Sequence, residues 1–402
     1  MCMVNFSLFY PYFPEYVVVS EAYLLNKKTG ERVLLQNKQT QKLILSIDGT
    51  ISVKELQEIF GENAIKVLRF LYNSGYLHFS RKPHQYPNKM ISYHLHTVDI
   101  EITKKCNLKC LYCFNNSGSS NYQEMNFKDW IRALRLLKSH NVTVVSFTGG
   151  DPFVKEGFDK ILKYAVKHFQ VHISTNGILL EHYLSNPERY SELIEALKKV
   201  WFLSISMDSM NPSINDAFRG HGTHSKILRA IILARALGIP VEIGIVDHIL
   251  NHGEKDIVKF AEKIGATISY TGLEIRGRAP KYNLDFLVPE EYRRSRSKIY
   301  DESTLEITCP VLYGEMAIQP DGYFKPCLTP PELFENISPI FTKGFHVFDL
   351  EHKNPSEIPF LKLIKEAKYV NCPNPKCPHL HEACGVCLVL RYWYHKKGYC
   401  KL

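Results

Sequence analysis

Three cysteines at positions 106, 110 and 113, in the stretch KKCNLKCLYCFNNSG (104–118), are spaced for metal chemistry. Thiolates are soft ligands, and three of them on so short a loop bind a soft metal or an iron-sulfur cluster while leaving one coordination position open. A zinc ion completed by a distant residue is the plain alternative. A second group of thiols follows far along the chain: Cys309, Cys327, Cys372, Cys377, Cys384, Cys387 and Cys400. Of the eleven cysteines only Cys2 stands outside both groups, with no partner near it in sequence. The N-terminus is apolar and aromatic, but it lacks a basic segment and is interrupted by Pro11, Pro14 and Glu15, so a signal peptide is not expected. No apolar run reaches the roughly 18 residues of a membrane span. The chain therefore reads as cytoplasmic, with no membrane partner. Reducing compartments keep thiols reduced, so clustered cysteines there are metal ligands before they are disulfides.

The elements that must position these thiols can be read from periodicity. With 402 residues the chain has room for two or three domains, and 45% hydrophobic with 23% charged residues is the composition of an ordinary globular protein. In the first eighty residues EYVVVS and ERVLLQ read as strands around a turn containing Gly30. NKQTQKLILSI, SVKELQEIFG and AIKVLRFLYNSGYLHF then read as two or three amphipathic helices and a final strand, with Thr50 or Ser52 as caps. Together they give a small winged-helix pattern. SRKPHQYPNKMISYH, with two prolines and no periodicity, reads as the linker out of it. From residue 97 six apolar strands (97–103, 142–150, 169–177, 200–208, 240–248 and 267–277) are separated by amphipathic helices. That alternation argues for a parallel sheet covered by helices. Six units make an open, partial (β/α)6 barrel, whose ligands belong at the carboxyl edge of the strands. Cys106, Cys110 and Cys113 follow the first strand and so stand at that edge. The last hundred residues are rich in Cys and Pro and weakly periodic, so metal must substitute for a hydrophobic core there. Expected boundaries are 1–92, 93–300 and 301–402.

The pattern C-x3-C-x-aromatic-C after the first strand, with Tyr112 as the aromatic, resembles the radical S-adenosylmethionine superfamily. The resemblance implies a [4Fe-4S] cluster on Cys106, Cys110 and Cys113 whose open iron chelates S-adenosylmethionine. One electron then cleaves the sulfonium and releases a 5′-deoxyadenosyl radical that abstracts a substrate hydrogen. TGGD, with Gly149, Gly150 and Asp151, is similar to the family's GGE segment, whose backbone and carboxylate face the methionyl ammonium. STNG, with Ser174, Thr175 and Asn176, is similar to the ribose-contacting segment. SISMDS, with Ser206 and Asp208, resembles the serine and aspartate after the next strand. Arg219 sits where related peptide-modifying enzymes place a carboxylate-binding arginine. Singly these are ordinary turn sequences; four successive strand ends carry the match. GRA (277–279) also resembles these enzymes, with no chemistry attached.

The C-terminal cysteines resemble the SPASM extension of the same superfamily, which carries two auxiliary [4Fe-4S] clusters, three clusters in all. Cys309 and GYFKPC match its opening elements, whereas the following spacings of four, six and two replace its usual two, five and three. The family's interleaved order implies Cys372, Cys377, Cys384 and Cys400 on the outer cluster, and Cys309, Cys327 and Cys387 on the inner one. The eighth position is left to substrate, water, or a residue such as Asp321 or His379. The N-terminal unit resembles the winged-helix domain by which peptide-modifying enzymes hold a leader segment through strand addition. The whole is thus expected to be a peptide maturase acting on a ribosomally made precursor peptide with a leader, reduced by a donor such as flavodoxin or ferredoxin, and forming a cross-link in preference to an epimer or a decarboxylated tyrosine. A protein- or tetrapyrrole-modifying relative, and a non-catalytic metal-stapled peptide- or DNA-binding adaptor, are the competing readings. Nucleic acid is not an expected partner. The +9 net charge is dispersed, and ten thiolates holding three clusters would lower it to about +5.

Overall fold

The computed structural model describes residues 8–19, 23–26, 32–35, 38–84, 94–118, 122–290, 311, 314–328 and 337–368. It divides into two compact units, one of residues 1–94 with 312–314, the other of 95–311 with 315–402.

In the first unit, β1 (Tyr10–Tyr12) pairs antiparallel with β5 (His78–Ser80), and β2 (Val17–Val19), β3 (Tyr23–Asn26) and β4 (Arg32–Leu34) form an antiparallel meander. The sequence predicts two strands around a turn here, but the sheet is three-stranded: YLLN, which that prediction leaves unassigned, forms the middle strand. Helices α1 (Lys38–Leu45), α2 (Val53–Phe60) and α3 (Glu62–Asn73) lie between β4 and β5 in sequence. Ser52 caps α2 through a reciprocal box with Glu55, a device worth about 1 kcal/mol. Leu24, Leu56, Leu68 and Leu77, all fully buried, lie in one core with Val53, Ala64 and Leu71.

The second unit is built on β6 (Thr97–Thr103), β7 (Val144–Gly149), β8 (Gln170–Thr175), β9 (Phe202–Ser206), β10 (Val241–Asp247) and β11 (Thr267–Gly272), which pair in sequence order, all parallel. Between them run α4 (Phe127–Ser139), α5 (Phe158–Ala165), α6 (Ile178–Leu184), α7 (Ser191–Leu197), α8 (Pro212–Arg219), α9 (Thr223–Ala236) and α10 (Lys255–Ile264). This is the parallel α/β fold expected from the sequence. Two helices, α6 and α8, were not foreseen. For α8 the signal is Asn211–Pro212, a capping side chain that accepts from the Ser213 amide at 3.0 Å, followed by proline at the first helical position.

The sheet also continues past its first strand. β12 (Glu315–Ile318) pairs parallel with β6, and β13 (Phe324–Lys325) pairs antiparallel with β12. The strands alternate instead of being apolar throughout. Val98, Ile100 and Ile102 of β6, Val145 and Phe147 of β7, and Leu203 and Ile205 of β9 are buried on one face, while Asp99, Glu101, Thr148, Ser174 and Ser206 occupy the positions between them. A strand whose second face borders a cavity has no reason to be apolar on both sides. Further along, α11 (Ile340–Lys343) and α12 (Pro359–Lys368) follow. Cys2, Cys309, Cys372, Cys377, His379, Cys384, Cys387 and Cys400, with most of the 80–94 linker, lie outside the described residues.

Candidate active site

At the carboxyl edge of the parallel strands lies a cavity of about 440 Å³, within the range that holds small-molecule ligands. Its walls include Cys106, Cys110, Tyr112 and Cys113 from the loop after β6, Gly149 and Gly150 after β7, Ser174, Thr175 and Asn176 at the end of β8, Ser206 on β9, and Arg219 at the end of α8. The structure thus gathers eleven of the residues expected at strand ends around one space. Asp151 and Asp208 are not among the walls, and neither carboxylate has the ligand-facing place that sequence suggested.

Asp151 is fully buried. Its Oδ1 accepts from the Phe153 amide at 3.0 Å, and its Oδ2 accepts from the Thr175 hydroxyl at 2.7 Å and the Asn176 amide at 2.8 Å. Burial raises its pKa, partly offset by these three donors. It is a strut between the ends of β7 and β8. Asp208, also buried, takes a two-pronged bond from Arg219, Nε to Oδ2 at 2.8 Å and Nη2 to Oδ1 at 2.7 Å, while the Tyr112 hydroxyl donates to Oδ2. The Val246 amide donates to Oδ1 at 3.1 Å. Burial opposes the charge on Arg219, but Asp208 outweighs it and raises the guanidinium's pKa. A cation is therefore fixed in the cavity wall, 5.6 Å from the centre of the Tyr112 ring. Tyr112 in turn packs against Phe218, the ring centres 5.6 Å apart and the planes tilted by 30°.

The cysteine loop is braced from several sides. Gly149 and Gly150 press against its root: the Gly150 amide donates to Thr103 O at 2.7 Å and the Asp151 amide to Lys105 O at 3.0 Å. A Cβ on Gly150 would stand 2.0 Å from Lys105 O, and one on Gly149, whose φ is +126°, 2.3 Å from Thr103 O. Sequence reading missed three further braces. Glu124 accepts from the Thr103 hydroxyl and the Lys104 amide, each at 2.8 Å, and from Lys155 at 3.0 Å. Lys325 of β13 pairs with Glu101 of β6 at 2.8 Å, both almost wholly buried, and Asn115 donates to the same carboxylate at 2.8 Å. Arg278 bonds the loop's carbonyls, as described below. Charges between the apolar residues of a strand, Asp99 and Glu101 in TVDIEIT, are the available signal for the second of these.

The thiols themselves are partly buried. Burial pushes Cys106 up to about 11 and raises Cys110 as well, with Arg219 pulling Cys110 back. The Leu108 amide donates to the Cys106 sulfur and the Ser117 amide to the Cys113 sulfur, each at 3.4 Å, and Asn176 Nδ2 approaches the Cys106 sulfur at 3.5 Å. Among the described residues, no three His, Cys, Asp or Glu side chains are grouped to hold a single metal ion. A cluster with a separate iron for each thiol asks for a wider arrangement, three soft donors around one cavity with N–H groups on the sulfurs, and these residues fit it.

Comparison with known proteins shows the following likenesses. Residues 100–264 match the model of the Radical SAM superfamily. The chain is 25% identical over 328 residues to the antilisterial bacteriocin subtilosin biosynthesis protein AlbA of Bacillus subtilis, covering 75% of this chain and 69% of that one. It is 27% identical over 249 residues to the sporulation killing factor maturation protein SkfB of the same organism, covering 57% and 59%. With the mycofactocin maturase MftC of Mycobacterium ulcerans it shares 32% identity over 181 residues, 44% of this chain and 47% of that relative's length. Crystal structures of Streptococcus suis SuiB share the fold: the S-adenosylmethionine complex gives a TM-score of 0.58 at 16% identity over 94% of this chain and 96% of SuiB. The complex of SuiB with its precursor peptide SuiA gives 0.54 at 16% identity, over 95% and 94%.

Proposed function

We propose that this chain, whose residues 100–264 match the Radical SAM superfamily, is a peptide maturase of that superfamily, cleaving S-adenosylmethionine reductively to modify a ribosomally made precursor peptide. The observation that carries this is one cavity at the strand edge walled by three thiols, a fixed guanidinium and the hydroxyls of Ser174 and Ser206. Cys106, Cys110 and Cys113 would hold a [4Fe-4S] cluster, which when bound supplies the electron that cleaves the sulfonium and frees a 5′-deoxyadenosyl radical. Arg219, held rigid by Asp208, presents a positive charge suited to the carboxylate of S-adenosylmethionine. Ser174 and Ser206 offer hydroxyls to a polar group such as a ribose. Val246, Leu273 and Leu328 keep part of the wall apolar and limit water.

The peptide substrate is supported by the relatives, whose names tie them to subtilosin biosynthesis, killing-factor maturation and mycofactocin maturation, and by SuiB, solved with a precursor peptide. The first unit, three helices with a short antiparallel sheet, is assigned to the leader by strand addition. Two auxiliary clusters are proposed on the C-terminal cysteines. Cys327, partly buried beyond β13, is the member among the described residues, and the buried Lys325–Glu101 pair ties its strand to the strand that carries the first cluster's loop. Asp321, offered as a further ligand, already has one oxygen on Lys343. No helix among the described residues is long and apolar enough to cross a membrane, and a cytoplasmic site with a flavodoxin- or ferredoxin-type donor completes the proposal.

The test is anaerobic reconstitution with iron and sulfide, then dithionite and S-adenosylmethionine. 5′-Deoxyadenosine is the expected product. Replacing Cys106, Cys110 and Cys113 together by Ala should abolish it while roughly two thirds of the iron remains, since the auxiliary clusters are separate. Zinc in place of iron, with no 5′-deoxyadenosine, would mean a metal-stapled adaptor.

A further inference from the structure

Gly277 and Arg278 belong to the GRA segment beyond β11, distant in sequence from the cysteine loop yet applied to it along most of its length. Arg278 Nη1 donates to Cys110 O at 2.8 Å, Nη2 donates to Ser117 O, and Nε donates to Asn116 Oδ1 at 3.3 Å. The Arg278 backbone amide donates to Cys113 O at 3.0 Å. Gly277 makes this approach possible. It has φ +58°, and a Cβ there would stand 2.2 Å from Phe114 O and 2.4 Å from Cys113 O. Thus five residues between 110 and 117 meet this dipeptide, and one guanidinium closes the loop across its span.

We infer that Arg278 is a positioning residue for the three-thiol loop: its fork fixes the spacing of the thiols, and its permanent charge favours the reduced state of the cluster they carry. The inference rests on the radical SAM reading above. Two properties of arginine make it specific. The guanidinium is planar with five donors and can bridge acceptors that lysine, a flexible point charge, cannot span together. It also stays protonated when partly buried, so its charge is constant. Adding an electron to a thiolate-held cluster makes it more negative, and a fixed cation nearby stabilises that state and raises the potential. Asp208 holds Arg219 in the cavity wall; among the described residues Arg278 has no carboxylate partner, and its side-chain hydrogen bonds go to the loop.

The experiment compares the full-length protein with R278K and R278M. The metal-free forms are followed by hydrogen exchange over residues 106–118, and the reconstituted forms by redox titration of the electron-paramagnetic signal that responds to S-adenosylmethionine. R278M should exchange at least about tenfold faster across 113–118. Its cluster should be harder to reduce by about tenfold, a shift of about 59 mV for one electron. R278K should keep most of the parental potential but exchange fast, because charge survives and the fork does not. Parental exchange and potential in R278M would overturn the inference, as would parental exchange in R278K. If R278M does not fold, exchange in R278K decides alone, fast supporting and parental overturning. Failure of the family-based function is separable: the parental protein would then give no 5′-deoxyadenosine and no responsive signal, while exchange in the metal-free forms would still judge the clamp.

Discussion

Single carboxylates in this molecule do work that their sequence positions misstate. Asp151 and Asp208 each follow a strand at the ligand edge, which invites a direct contact with bound cofactor. Each instead satisfies neighbouring donors, because a buried carboxylate is costly unless several N–H or O–H groups meet it. Removing Asp208 by Ala would strand Arg219 and the Tyr112 hydroxyl without their partner. The expected loss is about 3–5 kcal/mol, measured by urea unfolding of the metal-free protein. Asp99 is the opposite case. Burial, with Glu315 adding to it, pushes its pKa up to about 7. The folded chain then keeps a proton that the unfolded chain has released, so Asp99 makes stability fall as pH rises from about 4 to 7. D99N should remove that slope and be more stable at pH 8, by roughly 4 kcal/mol at most. A urea midpoint that falls with pH as steeply in D99N as in the parent would contradict this.

At the scale of elements, the strand-edge loops are joined to one another before any ligand arrives. The TGGD turn after β7 lies on the root of the cysteine loop, and GRA beyond β11 closes its far side. Sequence identified both segments but not the contact, since a glycine that permits backbone approach looks the same as one in a free turn. G150A tests the brace. A methyl group 2.0 Å from Lys105 O must displace one backbone from the other. The expected result is a folded protein with little or no 5′-deoxyadenosine formation and about one third less iron, the share of one cluster among the three proposed. Unchanged iron and turnover would show that the loops tolerate separation. Neither α6 nor α8 is legible in the sequence, although α5 and α7, of the same lengths, are; the six parallel strands, each packed against helices, are plain.

For the molecule as a whole, the first unit has a core of its own, from Phe13 to Leu77, so its removal should leave the barrel's core intact. Deleting residues 1–85 should therefore reduce turnover of a leader-bearing peptide by at least about tenfold while uncoupled cleavage of S-adenosylmethionine persists. Equal peptide turnover would remove the leader role from this unit. What the sequence by itself determined is the order of elements and the chemistry available: a parallel α/β unit, three soft ligands after its first strand, and polar residues at the strand ends. These follow from local periodicity and from residue type, which need no partner to be read. Tertiary structure alone decided which polar groups face the cavity and which hold one another. It made Arg219 a wall residue and Asp208 its anchor, joined Lys325 to Glu101 across β6, β12 and β13, and brought Arg278 onto the carbonyl of Cys110, 168 residues away. Those pairings depend on strand order and register, through-space quantities that no local stretch of sequence encodes.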